Sequence, residues 1–195
     1  MSETYIIAGL GNPGAEYRMT RHNAGFMVAE DLATRWSEKW KFEKKFRSDM
    51  HSEAVRFPGK KILLCRPQTY MNRSGLAVGL ISRFYQVPVE RILVIVDDAD
   101  LELGKRRLKP EGRTGGHRGL ESVENALGTR KYARLRLGIG RENQGQSGFE
   151  SYVLGRFKND ETDALDHMIA RAADQVECWL ELGMEKAMNR YNGSD

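Results

Sequence analysis

The chain has 195 residues, 40% apolar and 30% charged with a net charge of +4, proportions that fit one water-soluble globular domain. No apolar run approaches the roughly 18 residues that a membrane span needs, and the opening Met1-Ser-Glu-Thr lacks the basic-then-apolar pattern of a secretion signal. Cys65 and Cys178 lie far apart in what read as a strand and a helix, which argues against a disulfide framework and suits a reducing cytoplasm.

In chain order, Tyr5–Leu10 reads as a buried strand and Ala24–Trp36 as a helix. A weaker strand covers Glu53–Phe57, a strong one Lys61–Arg66, and a helix follows at Leu76–Tyr85. Next come the apolar strand Arg91–Val96, a weak strand Lys105–Lys109, a helix Leu120–Leu127 and a strand Leu135–Ile139. A long helix runs from about Asp160 to Leu182, with Gly183 as its stop. Strands alternating with helices predict a single α/β domain over residues 1–195, with a twisted, mostly parallel mixed sheet covered by helices on both faces. In such sheets functional groups gather where strand ends meet loops.

Charge is unevenly spread. Leu101–Arg141 carries 11 Lys/Arg against 4 Asp/Glu, whereas Glu142–Asp195 carries 5 against 11. Segregation of this size gives one part of the molecule a positive field, and a polyanion such as a nucleic acid is its natural partner.

Gly9-Leu-Gly-Asn-Pro-Gly14 follows a strand and matches the glycine spacing of dinucleotide-binding folds. The segment after it, Ala15 to Asn23, is polar rather than helical, and Glu30 and Asp31 fall inside a helical pattern instead of ending a second strand. Two other readings remain: the glycines simply make a tight turn, or the turn aims Asn12 into a cleft. The histidines His22, His51, His117 and His167 show no HExxH or His-x-His spacing, and there is no CxxC, so no metal site is expected. A GxSxG nucleophile elbow is also absent.

What remains is a base with partners. His22 precedes an apolar helix, and Asp97-Asp98 leaves the strand Ile92–Val96, a position from which a carboxylate can orient an imidazole. Asn72, before another helix, is either a helix cap or an amide donor to a developing oxyanion. Gly115-Gly-His-Arg-Gly119 is a flexible loop whose N–H groups suit a phosphate or carbonyl oxygen. A base, a carboxylate and amide donors without a strong nucleophile point to hydrolysis by an activated water.

At Gly9-Leu-Gly-Asn-Pro-Gly14, Thr20-Arg-His-Asn23, Tyr70-Met-Asn72, Gly115-Gly-His117 and Tyr152-Val-Leu-Gly155 the sequence resembles the bacterial peptidyl-tRNA hydrolase family, over Tyr5 to about Asn192. The resemblance implies hydrolysis of the ester between a peptide and the 3′ end of tRNA by a single-domain, usually monomeric enzyme with no metal or cofactor; the composition adds a cytoplasmic location and no membrane partner. It implies His22 as base and Asp97 as its partner. It also implies substrate contacts from Asn12, Tyr17, Asn23, Met71, Asn72, His117 and Arg118, and a grip on tRNA phosphate by Lys109 and Arg136. Arg118 departs from the family, which commonly has Asn there; a guanidinium accepts no hydrogen bond, and a phosphate contact is its alternative role. A nucleotide-cofactor oxidoreductase and a binding module that has lost catalysis are the competing classes.

Overall fold

The structure is a computed structural model that describes residues 2–37, 39–53, 56–141 and 146–192. Seven strands, β1 (Glu3–Gly9), β2 (Lys41–Glu43), β3 (Ser48–Glu53), β4 (Lys60–Pro67), β5 (Ile92–Asp98), β6 (Arg106–Lys109) and β7 (Ala133–Gly138), form one sheet in the order β2-β3-β4-β1-β5-β7-β6. The four central strands β4, β1, β5 and β7 run parallel, and antiparallel strands complete both edges.

Alternation explains why the central strands are apolar throughout. On one face Ile7, Ile62, Leu64, Leu93 and Ile95 pack against α1 (Ala24–Arg35) and α5 (Thr162–Leu182). On the other, Ile6, Leu63, Cys65, Val94 and Val96 meet α2 (Ser74–Tyr85) and α3 (Arg118–Leu127). A strand covered on both sides needs apolar residues at every position. No helix among the described residues is long and apolar enough to cross a membrane.

The sheet has a switch point. The chain leaves β1 through α1 toward β4 on one side, and leaves β5 through α3 toward β7 on the other, although β1 and β5 are neighbours. Adjacent strands whose connections diverge leave a crevice at their carboxyl ends. Leu10–Asn12 and Asp97 stand there. Gly25, at the start of α1, lies against the carbonyls of Leu10 and Ile95, where any Cβ would collide with backbone. Glycine therefore lets the helix start at the mouth of the crevice.

Four elements differ from the sequence reading. The strand expected at Glu53–Phe57 lies earlier, as β3; residues 54 and 55 are outside the described residues. Its sequence Ser-Asp-Met-His-Ser-Glu lacks apolar alternation, and pairing with β4 holds it. β2 is only three residues long and pairs with β3 at the sheet edge. Helices α4 (Gln146–Val153) and α6 (Met184–Tyr191) were not anticipated. For α6 the signal was present, since Met184, Ala187, Met188 and Tyr191 share one helical face.

Both cysteines are buried free thiols. Burial pushes the Cys65 thiol up to about 12, leaving on the order of 10⁻⁴ as thiolate at about pH 8. Native protein treated with iodoacetamide at that pH should show no alkylation of Cys65 by mass spectrometry. Labelling at the rate of a free thiol would mean that β4 opens.

Candidate active site

The crevice widens into a cleft of about 680 Å³, lined among others by Asn12, His22, Asn72, Asp97, His117 and Arg136. Asp97 ends β5 and is buried. His22 sits in a 3-10 turn, Arg21–Asn23, immediately before α1. Its Nδ1 lies 2.9 and 3.0 Å from the two Asp97 oxygens.

A second imidazole shares this carboxylate. His117 Nε2 is 3.0 Å from Asp97 Oδ1, and its Nδ1 accepts from the Gly119 and Leu120 N–H groups, capping α3. An Nδ1 that accepts carries no proton, so the His117 proton is on Nε2 and is donated to Asp97. Burial alone would raise the Asp97 carboxyl, but the neighbouring His117 and His22 outweigh it and hold the group well below the usual carboxylate range. Asp97 is thus an anion that accepts from both rings. His22 donates from Nδ1 to this anion, and in its neutral form that leaves the lone pair on Nε2, as a general base requires.

The three residues place ligand atoms within 4.8 Å of one another, close enough to hold a metal ion. Spacing rules did not reveal this set, because His22 and His117 lie 75 and 20 residues from Asp97. Hydrogen bonding to Asp97 is a sufficient account of why they converge.

Asn12 is the anchored amide of the cleft lining. Met71 N–H donates to its Oδ1 at 2.8 Å, so its NH₂ is left without a partner among the described residues. Asn72 is exposed on the cleft lip and does not cap α2, whose preceding residue is Arg73. The cap reading of Asn72 is therefore withdrawn. Asn23, expected to contact substrate, is buried behind Asn12 and spends its whole amide on the Asn12 backbone, at 2.9 and 3.0 Å. It fixes the Asn12 turn and does not line the cleft. Met71 is buried at the cleft wall. Tyr17 is half-buried, edge-on to Tyr70 at 6.5 Å, and it is Tyr70 that lines the cleft.

Arg118 is exposed at the mouth, 3.5 Å from Glu150 of α4. Lys109 is exposed on β6, outside the cleft lining. Arg136 lines the cleft, pairs with Asp98 at 3.0 Å, and donates to the Arg113 and Thr114 carbonyls. Fully buried Arg134 binds the Gly112 and Arg130 carbonyls. These two β7 arginines tie down the loop that delivers His117, a task the sequence did not reveal for either.

Arg21 was also missed. Its buried guanidinium lies 4.5 and 4.8 Å from the ring centres of Tyr152 and Phe157 and pairs with Glu161 at 2.7 Å. Its backbone N–H donates to the Gly155 carbonyl. A three-residue turn has little stiffness of its own. Arg21 on one side of His22 and Asn23 on the other set its orientation.

The glycine-rich turn does not lead into an α-helix; after Gly14 comes a 3-10 turn, Ala15–Tyr17. Gly9 packs against the Gly25 backbone and Gly11 against the Phe26 ring, both without room for a Cβ. Close packing, rather than a dinucleotide phosphate, accounts for these glycines, and the turn aims Asn12 at the cleft.

Comparison with known proteins agrees with this geometry. The sequence model of the peptidyl-tRNA hydrolase family matches residues 6–195. A peptidyl-tRNA hydrolase of Synechococcus sp. is 45% identical over 190 residues, 97% of this chain and 83% of that protein. One from Mycobacterium avium is 44% identical over 192 residues, 98% of this chain and 99% of that protein. The crystal structure of the Acinetobacter baumannii peptidyl-tRNA hydrolase superposes with a TM-score of 0.92 at 37% identity, covering 100% of this chain and 97% of that one. The fold, its switch-point cleft and the sequence across nearly the full length agree: the chain belongs to the peptidyl-tRNA hydrolase family.

Proposed function

We propose that this chain hydrolyses the ester between a peptide and tRNA, as one catalytic domain acting as a cytoplasmic monomer without metal or cofactor. The carrying observation is His22 Nδ1 held by the Asp97 carboxylate inside a cleft that also presents the Asn12 and Asn72 amides. His22 Nε2 takes a proton from water as the oxygen attacks the ester carbonyl carbon. The anion on the former carbonyl oxygen accepts from the Asn12 NH₂, with Asn72 as a second donor. When the carbon–ribose oxygen bond breaks, the imidazolium returns its proton to the leaving ribose oxygen. The products are a free peptide carboxylate and tRNA. An ester suits a site with no protein nucleophile because its leaving group departs more readily than an amine.

Lys109 and Arg136 are the proposed phosphate grip, supported by the strand register. Arg107 faces Arg136 across β6 and β7 and Lys109 follows on the same face, which lines up three cations that are not fully buried. Arg118, at the mouth, is the proposed contact for RNA phosphate in place of the family's usual Asn. Two buried free thiols fit a reducing compartment. The direct test is incubation with N-acyl-aminoacyl-tRNA, scored for deacylated tRNA; no release above the spontaneous rate would remove the proposal.

Asn12→Asp keeps the acceptor facing Met71 N–H but turns the donor into a second carboxylate oxygen. It is expected to lower kcat by about 10²–10³-fold with the fold intact. Asn72→Asp should cost less, because an exposed, unanchored amide is a poorer preorganised donor. Steady-state kinetics of both variants check the order; an unchanged kcat in the Asn12 variant would leave the oxyanion without its principal donor.

A further inference from the structure

A second cationic segment lies outside the basic middle of the chain. Between Lys39 and Arg47, Lys39, Lys41, Lys44, Lys45 and Arg47 stand against Glu43 alone, interleaved with Trp40, Phe42 and Phe46. It forms β2 and the 3-10 turn Lys44–Phe46. Phe46 is buried and packs on Phe84 and Tyr85 at ring distances of 5.3 and 5.8 Å, which fixes the turn to α2. Around that anchor the surface is unlike a solvated edge: Phe42 is 56% exposed and Phe84 59%. Lys45 Nζ lies 4.0 Å from the Phe84 ring centre. Lys39, Lys41 and Lys45 share the walls of a hollow of about 260 Å³.

The segment is placed to reach the substrate. Ser48 pairs with Pro67 at the carboxyl end of β4, and Gln68 N–H donates to the Arg47 carbonyl at 2.8 Å. The turn is therefore at the cleft end of the sheet, beside the strand exit that leads to Tyr70–Asn72. In the sheet order β3 is two strands from β1 and β6 is three. At about 4.8 Å per strand these are roughly 10 and 14 Å. Cationic surfaces thus flank the crevice on both sides.

We propose that the β2 edge, the turn Lys44–Arg47 and Phe84 form a second RNA-contact surface, which binds the substrate tRNA on the side of the cleft away from Lys109. Lysine ammonium groups meet the phosphates, and the exposed aromatic faces stack unpaired bases outside the short 3′ end, the combination that sequence-tolerant binding of single-stranded nucleic acid uses. The inference rests on the proposed hydrolysis of peptidyl-tRNA.

The test compares wild type with the double variant Lys41→Gln/Lys44→Gln and with Phe84→Ala. Each is assayed on full-length N-acyl-aminoacyl-tRNA and on a short acylated oligonucleotide of the tRNA 3′ end, from about 50 to about 300 mM salt. The double variant should raise KM for the full tRNA and lower the slope of log KM against log salt by up to about 1.8, near 0.9 per lost phosphate contact. Phe84→Ala should raise that KM roughly 5- to 150-fold, the range for one lost base stack. Oligonucleotide kinetics and kcat should stay at wild-type values. Phe84 also packs on Phe46, so Phe42→Ser, at the exposed edge strand, is the companion variant if Phe84→Ala misfolds. Unchanged KM values and slopes overturn the proposal, as does an equal loss on both substrates. A dimer in wild type that Phe84→Ala dissociates would also overturn it, by making the patch a protein interface. Failure of the underlying function reads differently: wild type would then release no tRNA from either substrate.

Discussion

Replacing His22 by alanine is expected to lower kcat by about 10²–10⁴-fold, with KM for tRNA near its wild-type value. Among the described residues, the imidazole is the one cleft group placed to take a proton from water with a carboxylate holding its other nitrogen, at 2.9 and 3.0 Å. His22 is partly exposed, and the residues that fix its turn are Arg21 and Asn23, so the fold should survive the truncation. The checks are single-turnover hydrolysis and thermal unfolding, run together. A folded variant with near-normal turnover would move the base elsewhere.

Asp97→Asn should cost about as much, roughly 10²–10⁴-fold in kcat, by a different route. The carboxylate accepts from His22 Nδ1 and His117 Nε2 together. An amide offers one acceptor and one donor, so one of the rings must change. His117 is held as a donor by its capping of α3, and the mismatch therefore falls on His22. With an NH₂ facing Nδ1, its proton moves to Nε2 and the base disappears. The same substitution carries a pH signature. The folded-state pKa of Asp97 is depressed, so the stability from its ionisation is complete above the unfolded value near 3.9 and is lost as pH falls through the lower folded value. The gap in unfolding free energy between wild type and variant should shrink as pH is taken below about 4. A gap that instead closed between about pH 5 and 8 would show that Asp97 is not held as an anion.

The sequence displayed what is local and little of what is not. β5 was readable because Ile92–Val96 is apolar at every position, which only a doubly covered strand tolerates. β3 was obscured because pairing with β4, rather than its own pattern, makes it a strand. In the site, Asp97 was readable from its place at a buried strand exit, and Asn12 from the turn after β1. Asn23 was offered as a substrate contact by the resemblance alone, and no local pattern showed that the 3-10 turn points its amide back at Asn12. His117 was seen as a cleft residue, but its bond to Asp97 depends on two β7 arginines holding the intervening loop. Arg21, Arg134 and Arg136 bind backbone carbonyls or carboxylates from distant segments, and such partners leave no periodicity to read.

The close seating of Gly25 against Leu10 and Ile95 also bears on the synthesis of the chain. His22 and Asp97 are 75 residues apart in sequence, and closing so large a loop precedes any packing reward. The start of α1 finds its place only when β1 and β5 lie side by side. A chain emerging from the ribosome thus carries its imidazole long before it has the carboxylate to orient it. During elongation the growing chain is itself esterified to tRNA, the bond that the finished protein is proposed to cut. Because the proposed pair is assembled by closure of the sheet and not by any local segment, a nascent chain that has not yet made β5 lacks the carboxylate its imidazole would need.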